Sequence, residues 1–481
     1  MKCFYKLQFL KCHLEGPGGI REMVAIALPM VVSHACETAM TFTDRLFLSR
    51  LGSEYMAASM GGGLSAFVMM TFFFGLIGYS TALVAQYLGS GQKEKCASTL
   101  TQCAVIALLA FPIILALRPL AVSYFKWMGV SDPQLLLQTQ YFNILIYGVL
   151  FSLLRHSFSS YFSGIGRTKI VMIAAIISML VNVIANYTLI FGKFGFPALG
   201  ITGAAIGTVF SSFIGFAVIA YAYFARENRM EFEIMVSFRF DLKVMHTLLR
   251  FGTPAGLEFF LNLLAFNVMV FLFHSQGANI AAAITIVFNW DMVSFLPMIG
   301  INIGVISLVG RYMGSGNPDL AHRSTWSGLK LAWIYSFFVL IAFACFPHYL
   351  VSVFHPTELQ NEFQQNIAPM AITMLRLAAL YVMADAMFLV FGGALRGAGD
   401  TLWAMVTSVL FHWILVAVLF VMLNLIEASP AISWLTLCLI FIVFSFVFYL
   451  RYKGGKWRKI KVVGQEISVQ GADAMHETQD L

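Results

Sequence analysis

The sequence predicts an all-α integral membrane protein, with twelve transmembrane helices in two six-helix lobes related by a direct (parallel) repeat. Composition, a series of apolar windows and an internal repeat carry that expectation. Of the 481 residues, 59% are hydrophobic and 11% charged, with a mean hydropathy of +0.82. A chain of this length in water would need far more charge. A spanning helix needs roughly 20 mostly apolar residues. Windows of that kind centre near residues 35, 72, 108, 148, 180, 212, 262, 295, 337, 380, 412 and 441. Gly and Pro interrupt some of them, which membrane helices tolerate where neighbours re-satisfy the backbone.

The repeat is the most informative feature. "ALVAQYLGSGQKE" (82–94) and "ISLVGRYMGSGNPD" (306–319) share Tyr-x-Gly-Ser-Gly, so Tyr87 matches Tyr312 and Gly91 matches Gly316 at an offset of 225. Pro29 meets Pro254 at the same offset. "YFSGIGRTK" (161–169) aligns with "GALRGAGDTL" (393–402), placing Gly164 on Gly397 and Gly166 on Gly399 at an offset of 233. Six spans per repeat return the chain to its starting side. The halves therefore share one orientation and are related by an axis along the membrane normal. The implied division is an N-terminal segment (1–21), an N-lobe (22–225), a linker (226–246), a C-lobe (247–452) and a tail (453–481).

Charge orients this layout. With the amino terminus inside, 22 of the 30 Lys and Arg fall on one side, Arg311 and Arg396 among them, and only Arg45, Arg50, Arg118, Lys126 and Lys193 fall on the other. Arg155, Lys330 and Arg376 lie in or beside spans. This positive-inside bias places both termini in the cytoplasm of a multi-pass protein of the cytoplasmic (inner) membrane. The net charge of +7 thus reports topology rather than nucleic-acid binding. The first twenty residues read as an interfacial lead-in rather than a cleaved signal peptide. The last twenty are polar and expected to lack fixed structure. Cys3, Cys12, Cys36, Cys96, Cys103, Cys345 and Cys438 follow no disulfide or metal-ligand spacing.

Five of the 23 acidic residues sit within spans: Glu37, Asp44, Glu258, Asp291 and Asp385. A charge at the bilayer centre is unfavourable by roughly 2.5–3.5 kcal/mol on insertion scales, so each must face protein or water. Glu37 and Asp44, seven residues apart, share one face of the first span. Asn182 and Asn186 share a face of the fifth, and Thr208 on the sixth adds an oxygen. Carboxylate, carboxamide and hydroxyl oxygens make a set that sodium accepts, whereas a proton needs only the carboxylate. At the matching positions the second half has Leu415 and Leu419. The second lobe has its own set: Glu258, Asn262 one turn later, Asp291 on the eighth span and Asp385 on the tenth. Asn262 is the repeat mate of Glu37. The bland alternative for each is an interhelical hydrogen-bond partner. His34, His156 and His412 read as satisfied interior groups.

"ALPMVVSHACETAMTFTDRLFLSRLG", "YFSGIGRTKIVMIAAIISMLVNVIANYTLIFGKFGFPALGITGAAIGTV" and "FGGALRGAGDTLWAM" resemble the multidrug and toxic compound extrusion (MATE) family over about residues 20 to 450. The resemblance implies twelve helices in two lobes and export of cationic or amphiphilic small molecules in exchange for Na⁺ or H⁺, with no cofactor besides the coupling ion. It implies that Asp44 is the first-helix acid of a cation site, with Asn182 and Thr208 beside it, and that Asp385 is the tenth-helix acid of the second lobe. Asn186 and Asn262 depart from the family's acids at those positions. The expected partners are a small-molecule substrate and the bilayer, with no nucleic acid, and the expected state is a monomer. Two other readings stand beside it. One is a lipid-linked oligosaccharide flippase of related fold. The other is an intramembrane enzyme, suggested by Gly-Ala-Gly-Asp at 397–400 with Asp385 as partner; neither a zinc-protease motif nor a phosphate loop accompanies it, and no enzyme is expected.

Overall fold

A computed structural model describes residues 15–127, 131–354 and 363–464. Most of the expected lead-in and tail, residues 1–14 and 465–481, lies outside the described residues. Eleven helices are long and apolar enough to cross a membrane, and a bent pair makes the twelfth span. They are α1 (Ile20–Ser49), α2 (Glu54–Gly89), α3 (Lys93–Trp127), α4 (Asp132–Gly164), α5 (Thr168–Phe191) and α6 (Gly200–Phe224), followed by α7 (Leu242–His274), α8 (Ala278–Gly314), α9 (Pro318–Cys345), α10 (Phe363–Ala378 with Val382–Ala398), α11 (Thr401–Leu425) and α12 (Pro430–Lys453). No strand occurs among the described residues. Every apolar window lies in one of these spans; the tenth, near residue 380, lies on the 48° bend of α10. Helix α7 begins inside the stretch expected to be linker. Asp241 is its cap, accepting from the backbone N–H of Lys243 (2.9 Å) and Val244 (3.1 Å) and satisfying donors that a helix start leaves free.

The two lobes repeat one packing scheme. In the N-lobe α1 packs on α5, α2 on α4 and α4 on α6; in the C-lobe the equivalents α7 on α11, α8 on α10 and α10 on α12 recur. The lobes meet through α1 against α8 and α2 against α7, each the image of the other under the repeat. Glycine permits that approach. A Cβ on Gly75 of α2 would lie 2.6 Å from the Ala255 carbonyl oxygen of α7, and one on Gly300 of α8, 225 residues later, 2.7 Å from the Val31 nitrogen of α1. Apolar side chains gain little by leaving lipid for protein, so close backbone packing of this kind holds membrane helices together. The turn glycines are matched as well: Gly91 and Gly316 have φ of +80° and +74°, and Gly166 and Gly399 +78° and +98°.

At the end of the bundle carrying the linker, the lobes are latched. Glu22 of α1 pairs with Arg311 of α8 (3.3 Å) and accepts from the Tyr312 hydroxyl (2.7 Å). Gln86 of α2 donates to the Gly397 carbonyl (2.8 Å), and its repeat mate Arg311 to the Ile165 carbonyl (3.4 Å). The short helix Arg226–Glu231 lies here, tied by Glu231 to Lys93 (3.1 Å) and Arg167 (2.5 Å).

Candidate functional site

Helices α1, α5 and α6 bring four of the expected residues to one point. Asp44 is buried on α1 and accepts from the Asn186 carboxamide of α5 and, at 3.0 Å, from the Thr208 hydroxyl of α6. Asn182, one turn before Asn186, lies beside Asp44, fully buried, and its carboxamide oxygen has no hydrogen-bond partner among the described residues. The Asn186 carboxamide oxygen is also unpartnered. Gly207 makes room for it, since a Cβ there would sit 1.9 Å from that oxygen. No Lys, Arg or His ion-pairs with Asp44 among the described residues. Buried polar atoms normally find partners. Carboxamides and a hydroxyl grouped around an acid supply hard oxygen ligands, suited to a small cation once the amides turn their oxygens toward it.

Glu37 does not join this cluster. Seven residues are about 10 Å along a helix, too far for two side chains on one face to hold one ion. Glu37 instead accepts from Arg155 of α4 (2.9 Å) and pairs with His34 (3.3 Å). Glu258 is likewise not a free acid. Arg396, counted among the inside basic residues, turns into the bundle and holds both Glu258 oxygens, at 3.2 and 2.5 Å. Removing a partner from such a buried pair is far more harmful than keeping it is helpful, which fits a structural role.

The other C-lobe residues line a cavity of about 910 Å³ inside that lobe. Asp291 accepts from the Tyr381 hydroxyl, and Tyr381 occupies the bend of α10. Asp385 lies in the first turn after the bend, where the helix start favours negative charge; it has no cationic or hydrogen-bonding side-chain partner among the described residues. Asn262 donates to Ser408 (2.8 Å) with its oxygen unpartnered. Phe288, Trp434 and Phe441 supply apolar walls. Asp400, by contrast, is held by Arg451 at 2.8 and 3.1 Å, and roughly 20 Å of helix separates it from Asp385. The Gly-Ala-Gly-Asp motif is therefore a turn, without the paired acids of an aspartyl protease. His156 bonds the Phe74 carbonyl and His412 the Ser408 carbonyl, as satisfied interior groups. Arg155, Arg396 and Tyr381 are the residues that sequence reasoning missed. A lone basic residue in a span is the same signal that singles out the acids, so Arg155 was there to be found. Tyr381 left no such mark.

Fold and cluster together define a polytopic membrane protein of two repeated six-helix lobes, each with acids inside its bundle. The MatE family model matches the chain twice, over residues 29–188 and 254–423, and the chain belongs to that family. Among curated relatives, a probable multidrug resistance protein NorM of Thermotoga maritima is 27% identical over 461 residues, covering 94% of this chain and 96% of that protein. The multidrug resistance protein MdtK of Yersinia pseudotuberculosis is 26% identical, with 82% and 85% covered. A MATE protein crystallised in complex with MaL6 superposes with a TM-score of 0.84 at 19% identity, over 93% of this chain and 99% of that one. A MOP superfamily transporter from Pyrococcus furiosus, in which reversed polarity of the binding pocket suggests a different function, gives the same TM-score and identity over 93% and 98%. At such identity the likeness speaks for the fold.

Proposed function

We propose that the protein is a secondary antiporter that exports cationic or amphiphilic small molecules in exchange for Na⁺ or H⁺, working as a monomer in the cytoplasmic membrane with both termini inside. The observation that carries this reading is Asp44, a buried acid in a spanning helix that is surrounded by neutral amide and hydroxyl groups and lacks a basic partner among the described residues. Coupling needs an acid that can change its occupant, and a permanent ion pair would prevent that. A cation entering from outside meets the Asp44 carboxylate, the Asn182 and Asn186 carboxamides and the Thr208 hydroxyl; a proton uses the carboxylate alone. The matched contacts of α1 on α8 and α2 on α7 give the lobes a symmetric surface on which to rock. With both termini inside, the latch from Glu22 to Arg311 would hold the lobes together on the inner side. The names of the NorM and MdtK relatives support drug-like cargo. A membrane potential of 100 mV supplies about 2.3 kcal/mol per charge moved, nearly fifty-fold in gradient.

The test is uptake of a fluorescent organic cation into inverted vesicles under an imposed Na⁺ or pH gradient. Wild-type protein accumulates the dye with one of the two gradients, and Asp44→Asn does not. Undiminished gradient-driven uptake by Asp44→Asn would falsify the coupling role.

A further inference from the structure

A cavity of about 1370 Å³ lies apart from both acid sites. It lies between the lobes, walled by α1, α2, α4 and α5 of one and by Phe259 of α7 and Ile299, Asn302 and Ile303 of α8 of the other. On its wall stands a charge pair that the exchange mechanism does not use, Glu37 with Arg155, and His34 on the same wall lies 3.3 Å from Glu37. A pair needed only for neutrality is dispensable, because apolar side chains of like volume often serve as well. This one faces a cleft, and it is under-used. Of the five guanidinium donors, Glu37 engages Nη2, and Nε is buried without a partner. Glu37 keeps 41% of its side chain exposed. Phe67, Phe74 and Phe259 stand on the same cavity wall.

We infer that this central cleft is a subsite for amphiphilic zwitterions, with the carboxylate of the ligand on Arg155, its ammonium on Glu37 and its aromatic body among Phe67, Phe74 and Phe259. The planar guanidinium fork fits a carboxylate in two parallel bonds. Such a ligand exchanges one internal ion pair for two intermolecular pairs, so no unbalanced charge is left in the cleft. A purely cationic ligand gains Glu37 but leaves Arg155 facing its positive charge, a built-in penalty of the kind that separates similar ligands. The C-lobe cavity differs: among the described residues Asp291 and Asp385 stand there with His412 but with no Lys or Arg on the wall, an arrangement for cations. The inference rests on the exporter reading for its cargo and adds the charge class that the cleft selects.

The experiment is fluorescence polarisation with the full chain in lipid nanodiscs, titrated against rhodamine B, a zwitterion, and its ethyl ester, a cation with the same ring system. Wild-type protein is expected to bind the acid several-fold tighter than the ester. Arg155→Gln is expected to lower that preference by about tenfold, the loss of one charge-assisted contact. Arg155→Lys, which keeps the charge and loses the fork, is expected to fall between them. Equal binding of the two dyes by wild-type protein overturns the inference without any variant having to fold, as does failure to bind either. An unchanged acid-to-ester ratio in a folded Arg155→Gln protein also overturns it. Gradient-driven uptake of the ester by wild-type protein in inverted vesicles reports separately on export, so export can fail while the dye ratio still judges the cleft.

Discussion

The two lobes share a packing scheme and differ in where their polar chemistry lies. By the repeat offsets, Asp44, Asn182, Asn186 and Thr208 of the N-lobe correspond to Met269, Leu415, Leu419 and Phe441 of the C-lobe. Met269, Leu415 and Phe441 line the C-lobe cavity. The place that holds a polar cluster in one lobe is thus an apolar wall in the other. Conversely, Asp291 and Asp385 correspond to Ala66 and Ser152. The backbone scheme survives because it depends on glycine contacts and turn conformations, which are matched in both halves. The polar groups vary because a few side chains on a rigid scaffold can be changed without altering the fold. The N-lobe site is a tight polar cluster with some amide atoms unpartnered among the described residues, whereas the C-lobe site is roomy and aromatic.

Several substitutions would break or sharpen that contrast. The largest effect is expected from Arg396→Ala. It strands the buried Glu258 carboxylate in the C-lobe and should lower stability by about 3–5 kcal/mol, seen as a fall in the thermal midpoint of the detergent-solubilised protein. The double change Arg396→Met with Glu258→Met should recover most of it. The N-lobe has Ser163 at the position matching Arg396, so a similar loss from Ser163→Ala would contradict the asymmetry.

Next is Asp44→Asn, expected to weaken coupling-ion binding about a hundredfold, as loss of a charged contact of ~3 kcal/mol would. Ion-protected thermal stability measures it. Asp385→Asn should leave that protection largely intact and weaken organic-cation binding about tenfold. If the two variants fail in the same assay by the same amount, the division of labour between the lobes is wrong. Thr208→Val removes one neutral donor and should reduce ion affinity about fivefold, near 1 kcal/mol. The smallest effect belongs to Glu22→Gln at the latch. A partly exposed pair contributes up to ~1 kcal/mol, so the variant should shift the lobes toward inner opening only a few-fold. Labelling of a cysteine placed in the central cleft reads that shift.

Much of this was legible in the sequence. Window lengths located every span, because lipid demands a run of apolar residues that no tertiary contact can replace. The repeat showed in Pro29 with Pro254 and in the matched turn glycines, since positive φ and close approach restrict those sites to few residue types. Asp44, Asn182, Asn186 and Thr208 could be proposed as one site, but their meeting required α1, α5 and α6 to pack.

What the sequence by itself determined is therefore the membrane class, the duplicated six-helix plan and the short list of acids that lipid would not tolerate. The tertiary structure decided which acids are free. Glu37 meets Arg155 across 118 residues and Glu258 meets Arg396 across 138, whereas Asp44 and Asp385 meet no base among the described residues. Periodicity records only the face of a helix on which a residue stands. Whether another helix brings an opposite charge to that face depends on how the bundle packs, and that is written in no local stretch of chain.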